Sequence, residues 1–280
     1  MAEIPVRRRN WLMRLFGRGK TIIPVIRLQG IIAADQRPGR LNIAGVEPLL
    51  KRAFAIKSAP AVAIVVNSPG GSPVQSRLIS KRIRDLADQH HKPVLVFVED
   101  AAASGGYFIA VAGDEIFADP SSIVGSIGVI MAGFGFVGTL DKLGVERRVH
   151  TAGRNKSTLD PFLPEKPEDV ERIKTVELDI HQVFIDHVKA RRAGKLRAQD
   201  ETLFTGEWWT GLRGLELGLI DALGDLHAVL RERYGDEIAL KPIEAKRGLI
   251  NLPRFGFSAT LAADAAATIE DRAIWARFGL

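Results

Sequence analysis

Hydrophobic and polar positions along the first part of the chain change between two patterns. Apolar runs with the length of a buried strand occur at Ala61–Val66 and Pro93–Val98, and Thr21–Gln29 is predicted as a first strand before them. Between them, apolar residues recur at helical spacing over Asn42–Ala55 and Pro73–Gln89, each with a residue suited to a helix start. Strands that are apolar throughout are typical of a sheet covered on both faces, so this order predicts an α/β fold with mainly parallel strands.

The rest of the chain continues with shorter elements. Strands are predicted at Glu115–Ala118, Gly125–Ile130, Val145–Thr151, Gly218–Asp221 and Glu237–Ile243. Helices are predicted at Gly105–Ala112, Val137–Leu143, Glu168–Arg192, Glu207–Leu217 and Asp225–Tyr234. The pattern predicts one domain over residues 21–245, preceded by a tail at residues 1–20. A C-terminal extension at residues 246–280 follows, without a clear place in the core.

Composition and motif content exclude several kinds of catalytic and binding site. The 280 residues include no cysteine, which excludes disulfides, thiolate zinc sites and cysteine nucleophiles. The sequence has no His-Glu-x-x-His pair, no Walker A pattern and no glycine fingerprint followed by a ribose-binding acid. We therefore expect neither a metal nor a cofactor.

The net charge of +6 is concentrated in the tail. Residues 1–20 hold six basic side chains and one acid, a net +5, which leaves +1 for the other residues. A nearly neutral body argues against nucleic-acid binding. In the tail, basic residues alternate with apolar ones such as Trp11 and Phe16, a pattern that suits an anionic membrane surface. A leader without a partner is the alternative.

No apolar run approaches the roughly 18 residues of a membrane span. The basic start is not followed by the long apolar region of a secretory signal. We therefore expect a cytoplasmic protein, with peripheral attachment to the inner membrane through residues 1–20.

Ser104 occupies the point where a predicted strand turns into a predicted helix. Three alanines precede it, and Gly105 and Gly106 follow it, so a tight turn and a close backbone approach are possible there. A helix N-terminus offers unpaired N–H groups and suits a nucleophile whose attack creates an oxyanion. The glycines of a second turn, Gly70 and Gly71, offer further donors. The alternatives are that Ser104 only caps the helix and that Pro-Gly-Gly is only a turn.

A serine nucleophile needs a base, and the sequence leaves two candidates open. Among the six histidines, only His150 is plausible, since it lies just before a glycine-containing loop. Lys156, inside that loop, is the other, because desolvation can lower a lysine pKa until the amine accepts a proton. Spacing alone does not separate a base from a packed histidine or a solvated lysine.

Several motifs occur in an order that resembles the signal peptide peptidase A family of serine peptidases, in its short, single-unit form. They are Asn67–Gly71, Ala103–Tyr107, Val124–Val129, Lys156 in a Gly-x-x-Lys-Ser loop, and Phe204–Glu207 leading to Leu217–Asp221. The resemblance covers about residues 21 to 235. It implies the crotonase-like, Clp-protease-like α/β fold of stacked β-β-α units.

The resemblance also implies roles for individual residues. Ser104 would be the nucleophile and Lys156 the general base, in a Ser–Lys dyad. Gly71, with Gly70 beside it, and Gly105 would form the oxyanion hole, and Ser126 would orient the lysine. Members of the family form homo-oligomers in which the serine and the lysine can come from adjacent protomers. They cleave remnant signal peptides and other apolar peptides.

Two features depart from the family pattern, and two other functions compete with it. Ser72 stands where relatives often have a third glycine, and the sequence has no membrane span of the kind that many members carry. A crotonase-like acyl-CoA enzyme is one alternative, which coenzyme A binding would support. A non-catalytic membrane-associated scaffold is the other, which dead-site variants with full biological function would support.

Overall fold

The structure is a computed structural model that describes residues 20–37, 39–245 and 271–280. The predicted tail therefore lies outside the described residues, apart from Lys20. The strands formed in the described ranges are β1 (Thr21–Gln29), β2 (Ile31–Ile32), β3 (Arg40–Leu41), β4 (Val62–Ser68), β5 (Val94–Ala103), β6 (Glu115–Ala118), β7 (Ile123–Gly125), β8 (Trp208–Thr210), β9 (Ala222–Leu223) and β10 (Ile238–Pro242). The helices are α1 (Ile43–Phe54), α2 (Pro73–His90), α3 (Gly105–Ala110), α4 (Val137–Leu143), α5 (Pro167–Arg191), α6 (Asp200–Leu203), α7 (Gly211–Leu217) and α8 (Leu226–Tyr234).

The main sheet has the strand order β10-β1-β4-β5-β6-β9, and every neighbouring pair in that order is parallel. At its carboxyl end β5 leaves β6 and pairs with β7 instead, also in parallel. β8 then adds to β7 in the antiparallel direction. The long central strand β5 therefore carries the chain from the middle of the sheet to the edge where Ser104 follows.

Helices cover both faces of the sheet, as the apolar strands predict. On one face α1, α2, α3 and α5 pack over β1, β4 and β5 in a continuous apolar core. On the other face α8 packs on a smaller cluster that includes Ile23, Leu95 and Phe97. The prediction of an α/β fold is confirmed.

The observed starts of α1 and α2 agree with the predicted starts, and each is marked by a capping residue. Asn42 accepts a hydrogen bond from Gly45 N at 2.9 Å and begins α1. Ser72 caps α2 by accepting from Gln75 N at 3.4 Å, with Pro73 in the first turn. Because α2 begins directly after Gly71, this cap also fixes where the glycine turn ends.

A buried arginine joins the end of α5 to the turn after α7. Arg192 is 2% exposed, and its guanidinium donates to Gly218 O and to the Asp221 carboxylate, at 3.0 and 2.6 Å. Burial by itself would raise the pKa of Asp221, but hydrogen bonds with Arg192 and Lys195 outweigh burial and lower it. The Leu217–Asp221 motif therefore serves to anchor α5 against the sheet.

Two predicted strands are wrong or too long. Residues Val145–Thr151 form no strand and are almost entirely exposed. The strand predicted over Gly125–Ile130 is found as β7, Ile123–Gly125, and goes no further, because Ser126 has a φ of 53°, outside the β region.

The region predicted as one helix over Glu207–Leu217 is divided. Trp208–Thr210 pairs with β7 as a strand, and α7 begins only at Gly211, where Thr210 caps it by accepting from Arg213 N. The strand predicted at Gly218–Asp221 is displaced to Ala222–Leu223, since Gly218 ends α7 in the left-handed conformation.

The end of the C-terminal extension has a place on the sheet, contrary to the sequence analysis. Residues 271–276 are helical, and Trp275 and Phe278 pack against Ala101, Ala103 and Ile123. The other part of the extension, residues 246–270, lies outside the described residues. Across the described ranges, no helix is both long and apolar enough to cross a membrane.

Candidate active site

Ser104 lies between β5 and α3 in a backbone conformation that few serines adopt. Its φ is 50° and its ψ is −121°, and its N–H donates to Gly125 O at 2.8 Å. Although Ser104 stands at the N-cap position of α3, its side chain makes no capping hydrogen bond. The hydroxyl of this half-buried residue is therefore not used to start the helix, which removes the main alternative to a chemical role.

The turn after β4 brings a second glycine backbone against Ser104. Ile32 N donates to Gly70 O at 2.8 Å, and Ser72 N donates to Ile32 O at 2.7 Å, so Gly71 is held in a parallel bridge with Ile32. In such a bridge the N–H of the flanked residue points to the opposite side. On that side lies Gly105, whose added Cβ would be 3.3 Å from Gly71 N.

The glycines are required because nothing larger fits. A Cβ on Gly70 would lie 2.8 Å from Ser104 Cβ, and one on Gly71 would lie 2.0 Å from Ile32 O. Gly71 also has a φ of 138°, which side chains rarely allow. A Cβ on Gly105 would lie 2.4 Å from Ser76 Oγ. The two turns therefore meet backbone to backbone beside Ser104.

Gly70 has a different role from Gly71 and Gly105. Its N–H donates to Ser68 Oγ at 3.2 Å, and that hydroxyl donates in turn to Gly30 O at 2.7 Å. Gly70 therefore shapes the turn, whereas the N–H groups of Gly71 and Gly105 form no backbone hydrogen bond among the described residues. Ser68 is not among the predicted site residues, although a serine directly before Pro-Gly, where its hydroxyl can bond the turn backbone, indicates such a role.

Acidic side chains near the site are engaged by basic or amide partners. Asn67 Nδ2 donates to Asp100 Oδ2 at 2.5 Å, and Asn67 Oδ1 accepts from Ala101 N at 3.3 Å. Glu99 in the middle of β5 pairs with Arg27 of β1, across the intervening strand β4. These carboxylates hold neighbouring strands together, which disfavours them as the acid and base of an acyl-CoA enzyme. No group of three metal-ligating side chains occurs in the described part of the chain.

The predicted site residues fall into two groups. The first group consists of residues whose backbones lie against one another: Ser104, Gly70, Gly71 and Gly105. Ser126 follows Gly125, the residue that holds the Ser104 N–H, and its own N–H donates to Glu207 O at 2.7 Å.

Lys156 and His150 form the second group, on a stretch that we call the arm (residues 128–165). No residue of the arm is buried, and both side chains are exposed. Within the described residues, no hydrogen bond or ion pair links either of them to the loops around Ser104. Across the described ranges, neither candidate base is therefore hydrogen-bonded to Ser104 within one copy of the chain.

Two helical histidines of α5 serve packing. His187 stacks on Phe108 with ring centroids 4.1 Å apart, and its Nε2 lies 3.0 Å from Ser80 Oγ and 3.2 Å from Phe108 O. Burial lowers the pKa of His187 to about 4. His181 Nε2 lies 3.1 Å from Ile127 O. His187 thereby fastens α5 to the back of α3, the helix that begins after Ser104.

Comparison with known protein families gives a match between this chain and one family model. The model of peptidase family S49 matches residues 87–236, which include Ser104 and Lys156. A protein from Arabidopsis thaliana named "Serine protease SPPA, chloroplastic" is 31% identical over 88% of this chain and 36% of its own length.

A more similar relative has an unrelated name. The "Na(+)/H(+) antiporter NhaA" of Brucella abortus is 56% identical over 95% of this chain and 38% of its own length. The chain thus spans little more than a third of these relatives. That name does not agree with the peptidase family whose model matches residues 87–236 of this chain.

A solved structure supports the fold. A mutant of the protein entitled "1510-N membrane-bound stomatin-specific protease" superimposes with a TM-score of 0.50 at 18% identity. The superposition covers 81% of this chain and the whole of that one. At this identity the likeness shows the fold alone, which is of the Clp-protease-like kind that the sequence predicts.

Proposed function

The chain belongs to peptidase family S49, and from that premise we propose that it is a serine endopeptidase with Ser104 as its nucleophile. The observation that carries the proposal is the serine's setting. Its hydroxyl is not used as a helix cap, and it stands beside two glycine N–H groups that make no backbone bond in the described residues. A nucleophile next to preorganised donors is what acyl transfer requires.

The proposed reaction has two halves. Ser104 Oγ attacks the carbonyl carbon of the scissile peptide bond while its proton passes to a neutral lysine amine. The N–H groups of Gly71 and Gly105 donate to the resulting oxyanion. The intermediate collapses, the C–N bond breaks, and the lysine returns the proton to the leaving amine. Water then attacks the acyl-enzyme with the same lysine as base, which releases the acid and restores Ser104.

We assign the base to Lys156 and place it in the site of a neighbouring copy of the chain. Lys156 is exposed on the arm, and the described part of the chain shows no hydrogen bond between it and Ser104. Burial is what lets a lysine amine lose its proton near neutral pH, and a neighbour would provide it. In this proposal Ser126, next to the Ser104 turn, orients the incoming amine.

The arm supports an association of copies because it exposes many large apolar side chains. An exposed apolar surface of this kind commonly marks a protein–protein interface. The most exposed of its aromatic residues, Phe134, is 82% exposed. The other members of the set are Ile130, Met131, Phe136, Leu143, Val145, Leu159 and Phe162. We propose a homo-oligomer in which each arm covers the site of the next copy.

Peptides with apolar residues are the proposed substrates, with remnant signal peptides as the class that the family resemblance implies. The experiment that tests the function measures hydrolysis of a panel of apolar fluorogenic peptides. Ser104→Ala and Lys156→Ala should each abolish cleavage, and His150→Ala should retain it. Cleavage by Ser104→Ala would refute the assignment of the nucleophile, and loss in His150→Ala alone would move the base to that histidine.

The tail (residues 1–20) is proposed to hold the protein at an anionic membrane surface. Deleting residues 2–19 should weaken cosedimentation with anionic vesicles and leave hydrolysis of a soluble peptide unchanged, because the catalytic residues lie elsewhere. Neutral vesicles provide the control. Equal vesicle binding with and without the tail would contradict this part of the proposal.

A further inference from the structure

Ser68, the last residue of β4, carries a hydroxyl that is fully buried beside the glycine turn. Its Oγ accepts from Gly70 N at 3.2 Å and donates to Gly30 O at 2.7 Å. A serine hydroxyl has one proton to donate, so this donor is committed to the backbone. Resting on the proposed peptidase function, we propose that Ser68 is a positioning residue of the oxyanion hole. Its hydroxyl fixes the glycine turn that presents the Gly71 N–H.

The two bonds of the Ser68 hydroxyl close a ring of hydrogen bonds around Gly70. From Gly30 the chain continues through β2 to Ile32, whose N–H donates to Gly70 O at 2.8 Å. The Gly70 N–H in turn donates to Ser68 Oγ, which completes the ring. Both polar backbone groups of Gly70 are thus held, one by a side chain and the other by a strand. The next N–H of the turn, that of Gly71, is not part of the ring and makes no backbone bond in the described ranges.

A turn made of two glycines needs such a restraint. Gly70 and Gly71 have φ values of 107° and 138°, and no side chain limits either backbone. Oxyanion donors are effective when their directions are fixed before the reaction. Gly70 O and Gly71 N belong to one planar peptide group, so the bond from Ile32 fixes the plane of that group. Ser68 fixes the preceding peptide group, which joins Pro69 to Gly70, and so limits rotation on the other side of the Gly70 Cα.

Ser68 also connects the glycine turn to the turn that carries Ser104. The register of β4 against β5 shifts just before Ser68, which lies opposite Ala102. Its carbonyl packs against Gly106 of α3, where an added Cβ would be 2.5 Å from Ser68 O. Gly70 and Ser104 each lie two residues beyond the paired residues, and their backbones are in contact. Ser68 is therefore linked both to the turn of the proposed oxyanion donors and to the helix that follows the proposed nucleophile.

The test compares two variants of Ser68 with a variant of a second buried serine. Ser68→Ala removes the hydroxyl, whereas Ser68→Cys fills its space with a group that bonds only weakly. Ser122→Ala is the matched control. Ser122 is 2% exposed, and its Oγ accepts from Asp119 N at 3.0 Å and donates to Glu99 O, so it bonds as Ser68 does but on the turn before β7. For each full-length variant, kcat, KM and the midpoint of thermal unfolding are measured with an apolar fluorogenic peptide.

Ser68→Ala should lower kcat by about ten- to a hundredfold, because the Gly71 N–H is misdirected but still present. KM should change by less than about twofold, since the bond to the oxyanion exists only in the transition state. Ser68→Cys should lower kcat by a similar factor, and it keeps the test informative if Ser68→Ala does not fold. Ser122→Ala should keep the wild-type kcat. A wild-type kcat in a folded Ser68 variant, or an equal fall of kcat in Ser122→Ala, would overturn the proposal.

A measurement without turnover separates this proposal from the peptidase function. Hydrogen exchange is followed by mass spectrometry in the fragment that contains residues 67–75. Loss of the Ser68 hydroxyl should speed exchange of the Gly70 N–H by about tenfold or more, because that N–H loses its partner. Ser122→Ala should leave this fragment unchanged. Unchanged exchange in the Ser68 variants would overturn the proposal. Faster exchange in them, with no hydrolysis by the wild type, would refute the peptidase function and leave the role of Ser68 in the turn.

Discussion

Ser104 is held in a conformation that costs free energy. A non-glycine residue with a φ of 50° and a ψ of −121° lies outside the favoured regions, at a cost of about 1–3 kcal/mol. The surroundings impose it: Gly125 O fixes the Ser104 N–H, and every residue of α3 is buried directly after it. The Ser104 backbone is strained, and the Ser104 side chain makes no capping hydrogen bond to the helix. At the scale of single residues, this combination is the strongest structural indication that Ser104 has a chemical role.

Gly105→Ala should lower kcat by about 100-fold or more while the protein remains folded. The added Cβ would lie 3.3 Å from Gly71 N and so enter the space where the oxyanion is proposed to bind. The variant keeps its own N–H but obstructs that of Gly71, and the loss of one oxyanion donor typically costs about 10² to 10³ in kcat. The measurement is kcat for a fluorogenic peptide together with the midpoint of thermal unfolding.

Two further variants separate obstruction of the hole from loss of stability. Gly133→Ala is the matched control, because a Cβ there meets nothing within 4 Å. Ser76→Ala combined with Gly105→Ala removes the closest clash, 2.4 Å to Ser76 Oγ, and should recover stability but not kcat. Recovery of kcat in this double variant would show that Gly105 matters for packing and not for the oxyanion.

The glycines and Ser104 were predictable from the sequence because small residues beside a serine have a local physical meaning. The distinct role of Gly70 was not predictable, since only the structure shows that its N–H donates to Ser68 Oγ. The absence of any link between Lys156 and Ser104 within one chain, across the described residues, was also not readable from spacing. Spacing along the chain does not say which copy supplies a side chain.

At the scale of elements, the sequence predicted best what packs against the middle of the sheet. β1, β6, α1 and α2 agree closely with the predicted ranges, because each carries its own apolar pattern or cap. The errors concern elements that depend on a distant partner. β8 is a strand only because β7 pairs with it. β5 continues to Ala103 because β7 replaces β6 as its neighbour.

The contact between α3 and α5 should make the fold sensitive to acid. Burial lowers the pKa of His187 from 6.5 to about 4, so the folded protein disfavours the protonated ring that the unfolded chain accepts near pH 6.5. The stability from this group is complete above pH 6.5 and is lost as the pH falls from 6.5 to about 4. The difference corresponds to about 3 kcal/mol.

Urea unfolding at several pH values between 4 and 7.5 measures this effect. His187→Gln keeps a hydrogen-bonding side chain but does not titrate, so its free energy of unfolding should change less over that interval. His227→Gln, at an exposed position of α8, is the matched control and should follow the wild type. Identical pH profiles for the wild type and His187→Gln would contradict the prediction.

At the scale of the whole molecule, the chain shows two surfaces that its own core does not explain. One is the apolar side of the arm, and the other is the open side of the Ser104 site. Both are accounted for if copies associate so that one arm covers the next site. The sequence predicts an oligomer only through family resemblance, because an apolar residue destined for an interface has the same pattern as one destined for a core.

A mixture of two inactive variants is the sharpest test of a site shared between copies. Chains carrying Ser104→Ala and Lys156→Ala are given different affinity tags, produced together, and purified through both tags. If the serine and lysine of each site come from different copies, random assembly restores about a quarter of the wild-type sites. Each variant alone should remain inactive.

A second mixture provides the matched comparison. Wild-type chains assembled with the double variant Ser104→Ala/Lys156→Ala should also show about a quarter of the wild-type activity if sites are shared, but about half if each chain holds its own dyad. A shared site therefore predicts the same fraction in both mixtures. No activity in the first mixture, with about half in the second, would contradict the shared Ser104–Lys156 site.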